Sequence, residues 1–172
     1  MTLKHSLITI DPGHREIGYA HFEGNELVDY GVKSLRRSKP KISPFKVFRS
    51  VLQRFMKEKS PSAIALEKNS FSKINQNLPV MRIIKLVHDI AVRNNIPVYE
   101  FAPNTIRKEI CNDGRATKSE VSKIVCARFP ELIAYRESNR RWRERYYQNM
   151  FDAVACGLTY LKIYGKEPNN NY

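Results

Sequence analysis

The chain has 172 residues with 30 Lys and Arg against 17 Asp and Glu, a formal charge of +13 that is far from the near-balance of an ordinary soluble enzyme and favours a polyanionic partner. Its length fits one domain, expected over residues 1–165 with a flexible tail at 166–172, since domains commonly run to about 100 to 200 residues. There is no apolar run of the roughly 18 residues a membrane span needs and no signal-like apolar segment at the N-terminus, so a membrane partner is excluded and the cytoplasm or nucleoid is the expected compartment.

Leu7 to Ile10 is a β-rich run, and after the break at Asp11-Pro12-Gly13 the segments Ile17 to Phe22 and Leu27 to Val32 flank a Glu23-Gly24-Asn25 turn. An opening three-stranded meander is predicted. Pro44 suits a first helical turn, and Phe45, Phe48, Val51, Leu52 and Phe55 then follow helical spacing up to Ser60-Pro61. Ala63 to Leu66, short and flanked by breakers, is expected to be a buried parallel strand ending at Glu67. From Leu78 to Arg93 the positions Val80, Ile83, Ile84, Val87, Ile90 and Ala91 mark a second amphipathic helix, followed by a strand from Pro97 to Phe101. A short helix near Thr105 to Cys111 precedes a loop through Gly114. Thr117-x-x-Glu120 has the spacing of a capping box opening the next helix. Tyr135 to Arg145 is arginine-rich with a lone Trp142 and little apolar periodicity, and is expected to be a basic loop or arm. The last helix is expected near Tyr146 to Tyr164. This order gives an α/β mixed sheet with covering helices. Cys111, Cys126 and Cys156 form no CxxC pair and are expected to be small apolar residues rather than a disulfide or zinc framework.

A carboxylate at the end of a core strand is expensive to desolvate unless cations or hydrogen bonds compensate it. Asp11 ends the first strand and Glu67 the fourth, while Asp152 lies on the last helix with Asn149 one turn before it. Two-metal phosphodiester hydrolysis requires such a set of hard oxygen ligands, with cations about 3.5 to 4 Å apart. Taken singly, Asp11-Pro12-Gly13 is a plain turn, Glu67 a strand-end ion pair and Asp152 a solvated helix residue. Their joint placement in so basic a chain raises the functional reading.

Four segments carry a resemblance. Ile10-Asp11-Pro12-Gly13 with Gly18-Tyr19, Ala65-Leu66-Glu67, Ala102 to Arg107 continuing through Gly114 to Val121, and Phe151-Asp152-Ala153 resemble, in order, the RuvC-type Holliday-junction resolvases. The resemblance implies an RNase H-like mixed five-stranded sheet flanked by helices, a homodimer, two Mg2+ or Mn2+ ions per active site, and symmetric nicking of four-way DNA junctions in recombination and repair. It implies Asp11, Glu67 and Asp152 as catalytic, metal-binding carboxylates. The fourth such position, an Asp or His in the family, is Asn149, whose amide oxygen can ligate a cation but brings no charge. Lys118 and Arg107 correspond to basic residues beside the family's active site, which implies Lys118 as a catalytic residue and, with Arg115 in the same segment, all three as contacts to nucleic acid. Phe71 falls near a junction-wedging aromatic, with core packing as the alternative. Arg140, Arg141 and Arg143 are expected on DNA phosphates with Trp142 as a stacking platform, the alternative being a solvated loop.

The helix from Leu78 to Arg93 is the expected dimer interface, although its apolar face also suits plain core. Two other functions fit the same residues: a transposase-like or processing nuclease acting on other DNA or RNA, and a nucleic-acid-binding protein weakened in catalysis at Asn149.

Overall fold

The alternating and helical apolar patterns fold into five strands and six helices, seen here in a computed structural model that describes residues 5–13, 15–34, 43–68, 78–137 and 141–165, with backbone alone at 44, 78–79 and 141–145. In chain order these are β1 (Ser6–Pro12), β2 (Glu16–Glu23), β3 (Glu26–Ser34), α1 (Pro44–Lys59), β4 (Ala63–Glu67), α2 (Leu78–Arg93), β5 (Val98–Phe101), α3 (Pro103–Cys111), α4 (Lys118–Arg128), α5 (Ile133–Arg136) and α6 (Arg141–Tyr164). The sheet order is β3-β2-β1-β4-β5. The β1-β2-β3 meander is antiparallel, and β4 and β5 add in parallel to β1. This is the mixed sheet of the RNase H-like fold.

Because strand side chains alternate between faces, parity divides the core in two. Ile8, Ile10, Ile64 and Leu66 pack with Phe48 and Leu52 of α1 and with Ile83, Leu86, Val87 and Ile90 of α2. Leu7, Ala63, Ala65 and Phe101 pack on the opposite face with Val121 and Val125 of α4 and Met150, Val154 and Ala155 of α6. The central β1 and β4 are therefore apolar on both faces, as strands covered by helices on each side must be. Val80, Ile83, Val87, Ile90 and Ala91 of α2 are all buried in the core, while Met81 and Val92 are exposed.

The expected capping box forms: the Glu120 N–H donates to Thr117 Oγ1 at 3.3 Å and the Thr117 N–H donates to Glu120 Oε2 at 2.7 Å. It fixes the start of α4 and hence the place of Lys118, its first residue. The basic arm is corrected. The described parts of Tyr135 to Arg145 are largely helical, Tyr135 and Arg136 in α5, and α6 starts at Arg141, five residues before the expected Tyr146. Arg, Glu and Gln are good helix formers, and the opening of α6 lacks an apolar stripe for periodicity to detect. Residues 138–140 and the tail at 166–172 lie outside the described residues. Cys126 and Cys156 are buried and Cys111 half-buried, all three as free thiols. Among the described residues no helix is long and apolar enough to cross a membrane.

Candidate active site

Strand parity brings the first two acids together. Leu7, Thr9 and Asp11 share one face of β1, and Ala63, Ala65 and Glu67 share the same face of β4. Thr9 pairs with Ala65 and Ile10 with Leu66, so the next step of the parallel register sets Asp11 beside Glu67. Both carboxylates thus lie at the C-terminal end of neighbouring parallel strands, on the face covered by α6.

Small residues let α6 come close enough to deliver the third acid. A Cβ on Gly18 would lie 1.8 Å from the backbone oxygen of Asn149, so at this point α6 rests directly on the β2 backbone. The buried Thr9 hydroxyl donates to the Ala153 carbonyl at 2.7 Å, tying β1 to α6 one residue past Asp152. Asp152 is 8% exposed. Its two oxygens have different donors: Lys118 Nζ lies 2.5 Å from Oδ2, and Gln148 Nε2 donates to Oδ1 at 2.8 Å. Asn149 Nδ2 donates to the Glu16 carbonyl at 3.0 Å, leaving its Oδ1 as the one side-chain atom able to face a cation.

The electrostatics follow from the crowding. Burial, then the charges of Asp152 and Glu67, push the Asp11 carboxyl well above the usual range, with Lys118 offsetting part of the rise. Burial and then Asp152 raise Glu67 to about 7, against the pull of Lys118 and Arg107. Burial alone would lower the Lys118 ammonium, but Asp152, Asp11 and Glu67 outweigh it and the net shift is upward. Asp152 thus makes ionisation of both Asp11 and Glu67 harder, and Glu67 adds to the effect on Asp11, as expected where carboxylates crowd together. Among the described residues no three Asp, Glu, His or Cys side chains are arranged to hold a metal ion as they stand, and the two oxygens of Asp152 are bonded to Lys118 and Gln148. The donor chemistry fits a hard divalent cation: carboxylate oxygens, an amide oxygen, and mutual repulsion that a cation would relieve.

A small pocket at the acids is lined by Glu67, Pro103, Ile106, Arg107, Lys118, Val121 and Asp152, so Arg107 and Lys118 join the predicted acids. Arg115 stands apart, exposed in the loop before α4, its N–H donating to Asp113 Oδ1 at 2.8 Å. Phe71 and Arg140 lie outside the described residues. Arg141 and Arg143 fall in the opening turn of α6. Sequence reasoning missed Gln148, although its spacing of four from Asp152 is the helical signal that would have found it.

Sheet order, parity and converging acids place the molecule among the RNase H-like α/β proteins that gather carboxylates at the ends of their central strands. More particularly, the chain belongs to the family of the crossover junction endodeoxyribonuclease RuvC, whose family model matches residues 7–134. That span holds Asp11, Glu67, Arg107 and Lys118, while Asn149 and Asp152 lie beyond it on α6. The chain is 30% identical over 121 residues to the RuvC of Pseudothermotoga lettingae, covering 67% of this chain and 75% of that one. It is 26% identical over 160 residues to the RuvC of Akkermansia muciniphila, covering 90% and 89%. Among solved structures, Thermus thermophilus RuvC in complex with Holliday junction substrate is similar with a TM-score of 0.71 at 19% identity, covering 94% of this chain and 97% of that one. The yeast mitochondrial Holliday junction resolvase is similar with a TM-score of 0.68 at 14% identity, covering 94% and 82%.

Proposed function

We propose that this protein is a metal-dependent, structure-selective endodeoxyribonuclease that binds four-way DNA junctions and nicks them symmetrically as a homodimer. The observation that carries the reading is the meeting of Asp11, Glu67 and Asp152, from three separate elements, beside Lys118 and Arg107 in a protein of charge +13. In this reading Asp11, Glu67 and Asp152 are the metal-holding carboxylates, with the Asn149 Oδ1 as a neutral fourth donor. Two Mg2+ or Mn2+ ions held there would activate water and stabilise the leaving oxygen of a phosphodiester.

The remaining chemistry belongs to the chain itself. Arg107 and Lys118 face the acids and supply positive charge where a phosphate would approach. Lys118 also occupies Oδ2 of Asp152, so a cation and this ammonium compete for the same oxygen. Arg115 and the arginines at 140, 141 and 143 are placed on the phosphates of the junction arms. Phe71 is assigned to the junction centre, where base steps are already open and a wedge is least costly. The dimer follows from the substrate, since paired nicks in a symmetric junction are naturally made by two sites related by a two-fold axis. The outward face of α2 is its proposed interface: Met81, Ile84, His88 and Val92 recur at helical spacing, with Met81 38% and Val92 73% exposed.

The test is cleavage of four-way junctions against linear duplex and hairpin, with Mg2+ and with Mn2+. Paired nicks confined to the junction, lost in Asp11→Asn, Glu67→Gln and Asp152→Asn while binding persists, are expected. Cleavage of linear duplex at an equal rate overturns the junction preference, and wild-type rates in any acid variant remove that residue from the site.

A further inference from the structure

A second cavity, of about 400 Å³, lies between α4, α5 and α6 and is lined by Ser119, Ser122, Tyr135, Arg136, Glu137, Gln148 and Phe151. It adjoins the acid site through two groups. Gln148, whose Nε2 donates to Asp152, forms part of its wall. Ser119 follows Lys118, the other partner of Asp152, in the first turn of α4.

The lining matches one kind of ligand. Arg136 Nε donates to Ser122 Oγ at 3.3 Å, and among the described residues Arg136 has no carboxylate in an ion pair, so its remaining N–H groups can bind a phosphate. Tyr135 is held edge-on between Tyr30, at 6.0 Å between ring centroids and 89°, and Tyr147, at 4.9 Å and 71°. It is a braced aromatic wall of the type on which unpaired bases stack. The Glu137 carboxylate and the Gln148 Oε1 add acceptors suited to an exocyclic base amine. A bare phosphate ion would be repelled by Glu137, and an apolar ligand would leave Arg136 unmatched. The volume is at the small end of ligand pockets, which run to roughly 300 to 1,000 Å³. It is too small for a base pair within a duplex.

We propose that this cavity receives a single unpaired deoxynucleotide of the strand being cut, adjacent to the scissile phosphate; the placement on that strand rests on the junction-nuclease reading above. The nucleotide's phosphate meets Arg136 and its base meets Tyr135, Glu137 and Gln148. A branch point supplies such a nucleotide more readily than continuous duplex, because fewer stacking and pairing contacts must be given up. Gln148 then senses the base with its oxygen while holding Asp152 with its nitrogen, so occupancy of the cavity steadies the acid.

The cavity is tested first without DNA cleavage, by titrating deoxynucleoside monophosphates at millimolar concentration into the full chain and following its backbone amides by NMR. Saturable shifts at Ser119, Ser122 and Gln148 are expected, abolished in Ser119→Trp, whose indole fills the cavity from an exposed position, and weakened about tenfold or more in Arg136→Gln. Absent shifts, or shifts unchanged in both variants, overturn the proposal; if Ser119→Trp does not fold, Arg136→Gln decides. Four-way junctions with an abasic site at each position flanking the nick are then cut under single-turnover conditions. One position should slow the wild type about tenfold without slowing Ser119→Trp further. Junctions cut normally at every abasic position overturn the placement on the cut strand. Amide shifts in a protein that cuts no junction would instead sink the junction reading and leave the nucleotide cavity standing.

Discussion

The raised proton affinity of Glu67 makes the stability of the metal-free protein depend on pH in a direction opposite to that of ordinary paired carboxylates. Glu67 moves from its usual 4.5 to about 7 on folding, chiefly by burial and then by the charge of Asp152. Between those values the folded chain binds more protons than the unfolded one, so the stability linked to Glu67 is fully present below about pH 4.5 and is lost as pH rises through about 7. The shift of roughly 2.5 units at about 1.4 kcal/mol per unit sets an upper figure of about 3.5 kcal/mol, reduced by solvent screening at the partly open end of β4. For a domain of this size that is on the order of 7 to 14 °C in melting temperature at most. His21, whose proton affinity is lowered by burial and by Lys59, works the other way near neutral pH, so the comparison must be between proteins. Thermal melts of wild type and Glu67→Gln in chelator across pH 5 to 8 isolate the effect. The variant should lose most of the downward slope, and Asp11 should contribute less in it because one repelling neighbour is gone. Parallel slopes in the two proteins would refute the raising of Glu67 by burial and by the charge of Asp152. In wild type, excess Mg2+ should raise the melting temperature most above pH 7, where Glu67 is ionised.

Asn149→Asp should lose the 3.0 Å bond to the Glu16 carbonyl and add a like charge, lowering the melting temperature in chelator by an amount matching about 1 to 2 kcal/mol, yet it should need less Mg2+ for half-maximal junction cleavage. A Mg2+ titration of cleavage beside melts of both proteins checks this, and an unchanged metal dependence would put Asn149 outside the site. Gly18→Ala should destabilise by about 3 kcal/mol or more and abolish cleavage, since its Cβ collides with the α6 backbone rather than with a yielding side chain; a melting temperature within a degree of wild type would contradict the close approach. Junction affinity should fall with salt by about 0.9 log unit per log unit for each phosphate neutralised, and replacing Arg140, Arg141 and Arg143 together should flatten that slope in binding titrations; an unchanged slope would remove the three arginines from the DNA interface.

Much of this architecture was legible because alternation and capping are local. The strand ends at Asp11 and Glu67 and the capping box at Thr117 and Glu120 were placed from neighbours in the chain, and family resemblance connected them to Asp152. What escaped were features set by contact across the chain or by a helix without an apolar face. The opening of α6 carries arginines where a stripe would be, so its helicity had no hydrophobic signature. Gln148 was passed over because, of the two positions one turn before Asp152, only the spacing of three at Asn149 was considered and not the spacing of four. The bond from Asn149 to Glu16 links positions 133 apart in the chain, and no local pattern announces it. Parity alone explains why the same face that takes small residues, Ala63 and Ala65, also ends in an acid.

The tie between the Thr9 hydroxyl and the Ala153 carbonyl, with Gly18 pressed against α6, makes the spacing of the acids a property of the backbone. Thr9 stands two residues before Asp11 and Ala153 one after Asp152, so strand and helix cannot slide past each other without breaking a buried bond and opening the core. The distance between the acids is settled when the chain folds, before any cation arrives. In the proposed site the chemistry of each ligand would be uncoupled from the frame that carries it. A side chain such as that at position 149 could then vary between charged and neutral and retune the preferred metal without moving the frame.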